Sequence, residues 1–263
     1  MRTLVMKFGG ASVATPQHFS RIADIILHRR REFSRIAVVV SAMGDTTNQL
    51  ISLARQVHQD PPRREYDMLV SVGERISISL LAMALSAKGH QAVSFTGSQS
   101  GIITCSNHSD ARIVDVRPHR LLPILNEGSV AIVAGFQGVS QCGEITTLGR
   151  GGSDTSAVAL AVALKAAKVE FFKDVPGIFD ADPKVNPQAR FFPELSYAEA
   201  LAIISQGAKV LQSRSVDLAS KNHMPLHVMS FEEFKKEISE GILSGTLIRS
   251  ARPAQPNTPI YEL

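Results

Sequence analysis

Apolar and polar positions alternate along this chain in two distinct rhythms, and the rhythms themselves alternate. Short, nearly continuous apolar runs read as buried strands: TLVMKF, RIAVVVSAM, QAVSF, VAIVAGF, KVEFFKDV and PLHVMS. Between them lie stretches with helical spacing. TPQHFSRIADIILHRRR has Thr15 as N-cap and Pro16 at the first helical position. One long amphipathic helix is expected from about Glu65 to Lys88, closed by Gly89. PHRLLPILNEG stops at Gly128, and a further helix runs from about Ser153 to Lys165. SYAEALAIIS and AKVLQSRSVDLASKN read as consecutive helices around Gly207. EITTL and GTLIRS are short extended pieces, PGIFDADPKVNP is a loop, and the residues from Ala251 read as an exposed tail. Strands alternating with helices predict an α/β fold, a mainly parallel sheet covered on both faces.

Length and composition narrow the class. A chain of 263 residues with 44% hydrophobic content can build a full core. Cys105 and Cys142 are too few for a disulfide scaffold and have no ligand-spaced partners, so neither a secreted scaffold nor a zinc site is expected, and a reducing cytoplasm is the natural setting. No apolar run is long enough to be read as a signal peptide or a membrane span. The net charge of +4 comes from scattered bases. The densest group, His28 to Arg31, is expected to be a solvated helix end, so a nucleic-acid partner is not expected.

Candidate chemistry collects where strands end. Lys7 closes the first strand and Gly9-Gly10 follow, a turn whose amides could approach a phosphate, although the spacing is neither GxxxxGK[ST] nor GxGxxG. SAMGDTTN repeats the arrangement after the next strand with Ser41, Gly44, Thr46, Thr47 and Asn48. Glu74 sits inside an apolar helix, where a carboxylate needs a partner or a task. TTLGRGGSDTSA combines helix-start amides at Gly151, Gly152 and Ser153 with Arg150 and Asp154. Both signs of charge within five residues suit a zwitterion, while a capped helix with Arg150 in solvent remains the alternative. Lys173 and Asp174 end another strand, Phe179, Asp180, Asp182 and Lys184 follow in its loop, and Lys209 lies just past Gly207.

The ordered set KFGGAS, SAMGDTTN, VGERIS, FTGSQSGIIT, ARIVDV, TTLGRGGSDTSA, DVPGIFDADP, GAKVL and GTLI resembles the amino acid kinase family, most closely its aspartate kinase branch. That resemblance implies a three-layer α/β/α sandwich over residues 1–250, with an amino-acid lobe to about 165, a nucleotide lobe over 166–250 and a tail over 251–263. It implies transfer of the ATP γ-phosphate, with Mg²⁺, to the side-chain carboxylate of L-aspartate, the first step of aspartate-family amino acid biosynthesis, by a cytoplasmic homodimer. Lys7, Asp154 and Lys209 would be catalytic. Ser41, Thr47, Glu74, Arg150, Gly151, Gly152 and Ser153 would hold the amino acid. Lys7, Phe8, Gly9, Gly10, Lys173, Asp174, Phe179, Asp182, Lys184 and Lys209 would face the nucleotide, and no residue of the chain is assigned to the metal. Four positions depart from the branch pattern: Lys173 for a usual threonine, Phe179 for tyrosine, Lys184 for arginine and Gln212 for histidine. The chain ends about fifteen residues past GTLI without the paired ACT domains such kinases carry, so no inhibition by lysine or threonine is expected.

Overall fold

The computed structural model describes residues 2–181, 183, 185–186, 188–208, 210–234, 244–250 and 258–263. Fourteen strands and eight helices are described: β1 (Thr3–Phe8), α1 (Pro16–Arg29), β2 (Arg35–Val40), α2 (Thr46–Val57), α3 (Arg63–Val70), α4 (Val72–Ala87), β3 (Ala92–Phe95), β4 (Ile102–Thr104), β5 (Ile113–Val116), α5 (Leu121–Asn126), β6 (Val130–Ala134), β7 (Gln137–Ser140), β8 (Ile145–Thr147), α6 (Gly152–Ala163), β9 (Val169–Lys173), β10 (Ile178–Phe179), β11 (Phe191–Phe192), β12 (Glu194–Leu195), α7 (Tyr197–Ser205), α8 (Ser213–Lys221), β13 (Leu226–Ser230) and β14 (Thr246–Ile248).

An eight-stranded sheet in the order β12-β14-β13-β9-β1-β2-β6-β3 forms the middle layer, parallel except for the β13–β14 pair. The continuous apolar runs of β1, β2, β6 and β9 occupy its interior, where both faces are covered. Leu4, Met6 and Phe8 of β1 face one core layer, built with Phe19, Ile22 and Ile26 of α1 and Ile78, Leu81 and Leu85 of α4. Val5 faces the other, built with the helices α5 to α8. This is the α/β/α sandwich expected. A smaller sheet, β5-β4-β7-β8, lies beside it and was not legible as a unit in the sequence.

Several expectations are corrected. The long helix is two, α3 and α4, meeting at Ser71, whose hydroxyl donates to the Met68 carbonyl at 3.1 Å and whose carbonyl accepts from Gln137 Nε2 at 2.8 Å. By length and composition the Arg63–Ala87 stretch could cross a membrane, yet here it is broken and carries the buried carboxylates Asp67 and Glu74. The QAVSF strand is an outer edge rather than buried, and leaves Val93 exposed. The helix expected from AKVLQ begins only at Ser213, and the PGIFDADPKVNP loop contains β10, paired antiparallel to β11. Thr15 holds the N-cap position without a side-chain cap bond. The solvated basic helix end is wrong for Arg29, which is buried and donates through both Nε and Nη2 to the fully buried Glu170. Residues 251–257 lie outside the described residues, but the tail's end is docked: Tyr261 is buried in the core.

Candidate active site

The carboxyl ends of β1, β2 and β9 meet the first turn of α6, and side-chain parity decides what meets there. Lys7 shares a face of β1 with Val5, and Lys173 shares a face of β9 with Phe171, so both lysines point toward α6. Asp154, in the first turn of α6, receives both. Lys7 Nζ lies 2.7 Å from Oδ1 and Lys173 Nζ 3.1 Å from Oδ2. Lys7 and Asp154 are almost fully buried, so two cations and one anion share a desolvated site. Burial brings the Lys7 ammonium down to about 8, against the upward pull of Asp154, with Lys173 pushing it lower still. Burial pushes the Asp154 carboxyl up, but Lys173 and Lys7 outweigh it and hold the carboxyl below its ordinary range.

Glu74 stands on the same cleft from the first turn of α4. Its Oε1 accepts from the Ala42 N–H at 3.1 Å, while its buried Oε2 has no partner among the described residues. Burial pushes its carboxyl up to about 7. A carboxylate with one buried, unused oxygen is a ready acceptor for a cationic group entering the cleft.

The glycine turn between β8 and α6 is gripped from behind. Gly149 and Gly151 have φ of 73° and 72°, a region that disfavours any side chain. A Cβ on Gly151 would stand 1.7 Å from Gln212 Cγ. Asp67 of α3, fully buried, accepts from the Thr147 N–H at 3.0 Å and the Thr147 hydroxyl at 2.6 Å. It also accepts from the Ser109 N–H and hydroxyl, and pairs with His108 Nδ1 at 2.9 Å. The turn is therefore preorganised, because its preceding strand end is fixed by a saturated buried carboxylate.

Two clefts open on this cluster. The larger, about 760 Å³, is lined by Lys7, Gly10, Ser41, Thr47, Glu74, Arg150, Gly151, Gly152, Ser153 and Asp154 among others, with Arg55 and Arg63 adding positive charge. The smaller, about 420 Å³, has apolar walls from Val175, Phe179, Ile203 and Val210, with Lys173 and Asp174 at one end. Lys173 lines both. The structure thus gathers into the larger cleft every residue expected to hold the amino acid. It moves Lys173 from a purely nucleotide-side position to the junction, on Asp154. Phe8 contributes no side chain to either cleft, because it is fully buried and stacked on Phe172 with ring centroids 4.5 Å apart. Gly9 sits with its Cα face toward Lys7, a Cβ there reaching 3.5 Å from Nζ, and Gly10 must stay small beside the Ala42 and Gly44 carbonyls. Asp182, Lys184 and Lys209 lie outside the described residues. Sequence reasoning missed Asp67 and Gln212 as wall-builders. For Asp67 the only signal was a carboxylate immediately before the apolar Met68–Val70 run.

Residues 2–230 match the amino acid kinase family. The chain is 52% identical over 231 residues to an aspartokinase of Mycolicibacterium smegmatis, an alignment covering 88% of this chain and 55% of that one. It is 48% identical over 233 residues to an aspartokinase of Geobacillus stearothermophilus, covering 89% and 57%. The chain spans about half the length of the curated relatives it matches. Among solved structures, it is similar to the aspartate kinase of Synechocystis, with a TM-score of 0.84 and 42% identity over 99% of this chain and 42% of that one. It is also similar to E. coli aspartokinase III in complex with aspartate and ADP, with a TM-score of 0.82 and 30% identity over 95% and 65%.

Proposed function

This chain belongs to the amino acid kinase family, and we propose that it transfers the γ-phosphoryl group of ATP to the side-chain carboxylate of L-aspartate, giving ADP and 4-phospho-L-aspartate. The observation that carries the proposal is the Lys7–Asp154–Lys173 cluster at the meeting point of a two-signed cleft and an apolar-walled one. The larger cleft suits a zwitterion with a second carboxylate: Arg150 offers a planar fork to the α-carboxylate, and the free oxygen of Glu74 faces the ammonium. The smaller cleft suits a nucleobase against Phe179, with phosphates directed to Lys173 and Lys7.

A carboxylate is already a nucleophile, so the reaction needs no general base. Its oxygen attacks the γ-phosphorus, the bond to the β–γ bridging oxygen breaks, and ADP leaves with the electron pair. The protein's work is alignment and charge neutralisation. Lys7 is mostly protonated at neutral pH and, with Lys173, meets the negative charge passing between the two clefts. Asp154 holds both ammonium groups in place, which makes it an organiser rather than a base. Among the described residues no group of three or more His, Cys, Asp or Glu side chains could hold a metal alone. A Mg²⁺ ion carried on the nucleotide phosphates would neutralise their charge, with Asp154 and Asp174 the carboxylates that line these clefts and could help to hold it.

The proposal extends to a cytoplasmic homodimer, supported by the apolar side chains Met68, Val72, Ile76 and Met83 left exposed on α3 and α4. Light scattering would test the dimer. The activity is tested by incubating the protein with ATP, Mg²⁺ and L-aspartate and trapping acyl phosphate with hydroxylamine, beside L-glutamate and a no-substrate control. Hydroxamate formed only with aspartate is the expected result. Hydroxamate with glutamate alone, or with neither, would overturn the assignment.

A further inference from the structure

The last residues of the chain are linked through Arg214 to the back of the glycine turn, although nothing in the turn's own sequence calls for them. Asn222, at the end of α8, donates from Nδ2 to the Ile260 carbonyl at 2.7 Å and accepts from the Ile260 N–H at 2.9 Å. Tyr261 is buried in the core beneath α8. The Glu262 N–H donates to the Ile113 carbonyl at 3.0 Å, and the Ile113 N–H donates back to Glu262 Oε2 at 2.8 Å. The segment is thereby fixed to both α8 and β5, with the Glu262 side chain only 8% exposed.

Arg214, near the start of α8, is what Glu262 holds. Nε donates to Glu262 Oε1 at 2.8 Å and Nη2 to Oε2 at 3.1 Å, a two-point grip. The remaining N–H groups go to the Leu148 carbonyl at 2.6 Å, the Asp110 carboxylate at 3.0 Å and the Ala111 carbonyl at 2.9 Å. All five guanidinium donors are used. Leu148 immediately precedes Gly149, and Gln212, two residues before Arg214, is the side chain against which Gly151 is pressed. Arg214 without Glu262 would keep its contacts to the turn but lose its orienting fork, leaving a largely buried cation facing two neutral carbonyls and one exposed carboxylate.

We propose that Glu262 is a positioning residue for the amino-acid cleft: through Arg214 it sets the geometry of the Leu148–Ser153 turn, and so of Arg150, from more than one hundred residues away in sequence. That the turn binds an amino acid rests on the function proposed above; that the tail sets the turn does not. The test compares the full chain with its Glu262→Ala and Glu262→Gln variants, reading amide hydrogen exchange together with calorimetric affinities for L-aspartate and ATP. Faster exchange at residues 148–153, besides that of the Ile113 amide that loses its own acceptor, with L-aspartate bound about tenfold more weakly and ATP affinity held within about twofold, is the expected result for Glu262→Ala. Glu262→Gln, which keeps one acceptor oxygen and turns the other position into an N–H donor, falls between, and carries the test if the alanine variant does not fold. Unchanged exchange in the turn, or exchange raised across the whole chain, would overturn the proposal. Failure of the wild-type protein to bind L-aspartate would remove the substrate reading alone, since the exchange measurement needs no ligand.

Discussion

Replacing Lys173 with methionine removes one charge from the junction of the two clefts while keeping an unbranched side chain of similar reach. Lys173 Nζ lies 3.1 Å from Asp154 Oδ2, a separation at which unit charges attract by about 5 kcal/mol if the effective dielectric constant is about 20. Most of that is offset in the resting protein by the desolvation of a nearly buried carboxylate and a lysine whose side chain is 16% exposed. Little net stability should therefore be lost. The cost falls on the reaction, where a preorganised cation facing transferring charge is worth about 3–4 kcal/mol, so kcat should drop by about 10²- to 10³-fold. A second, independent signature follows from Lys7. Burial is the main cause of its fall to about 8, and Lys173 contributes further in the same direction, so in Lys173→Met the ammonium should hold its proton to higher pH. A coupled assay of ADP release from about pH 6 to 10 reads both effects. A variant with kcat within about threefold of the parent and an unmoved alkaline limb would refute the placement of Lys173 at the transferring phosphate.

Glu74, raised by burial to about 7, is ionised only above that value, so kcat/KM for the amino acid should rise as pH increases through about 7 and fall again as Lys7 deprotonates near 8; Glu74→Gln should abolish the acid limb. Asp67→Asn places an amide nitrogen among N–H and hydroxyl donors in a fully buried site. Loss of about 3 kcal/mol, a drop in Tm of roughly 6–12 °C by calorimetry, is expected, with a raised KM for the amino acid. His227, buried beside Lys168, is lowered from 6.5 to about 4, so the native chain binds fewer protons than the unfolded chain between those values. Stability is full above about pH 6.5 and declines as pH falls through 4, by about 3 kcal/mol in all; chemical denaturation at stepped pH checks this, and His227→Gln should flatten the decline.

How much of this was legible in advance depended on the range of the interaction. Runs such as RIAVVV and KVEFF announce interior strands because a strand covered on both faces must be apolar throughout, and the glycines at 128 and 89 mark helix ends because each takes a left-handed φ. Lys7, Glu74, Arg150 and Asp154 could be singled out as charged residues at strand ends, at helix starts or inside apolar stretches. The sequence alone also carried the family's ordered motifs, and with them the fold.

What it could not carry was which charge meets which. Lys7 and Lys173 share Asp154 because β1 and β9 are neighbours in register, with Lys7 opposite Phe171, and because strand parity turns both lysines toward α6. Neither fact is local. The junction at Ser71 is held by Gln137 of the smaller sheet, which donates to its carbonyl, and the docking of Glu262 depends on Arg214 and Ile113 standing side by side. Arg29, which reads as one more solvated base in HRRR, is buried because Glu170 on the neighbouring face of β9 is waiting for it. Composition and periodicity report the average surroundings of a residue along the chain. Pairing among buried charges is decided by desolvation, which only the assembled layers impose.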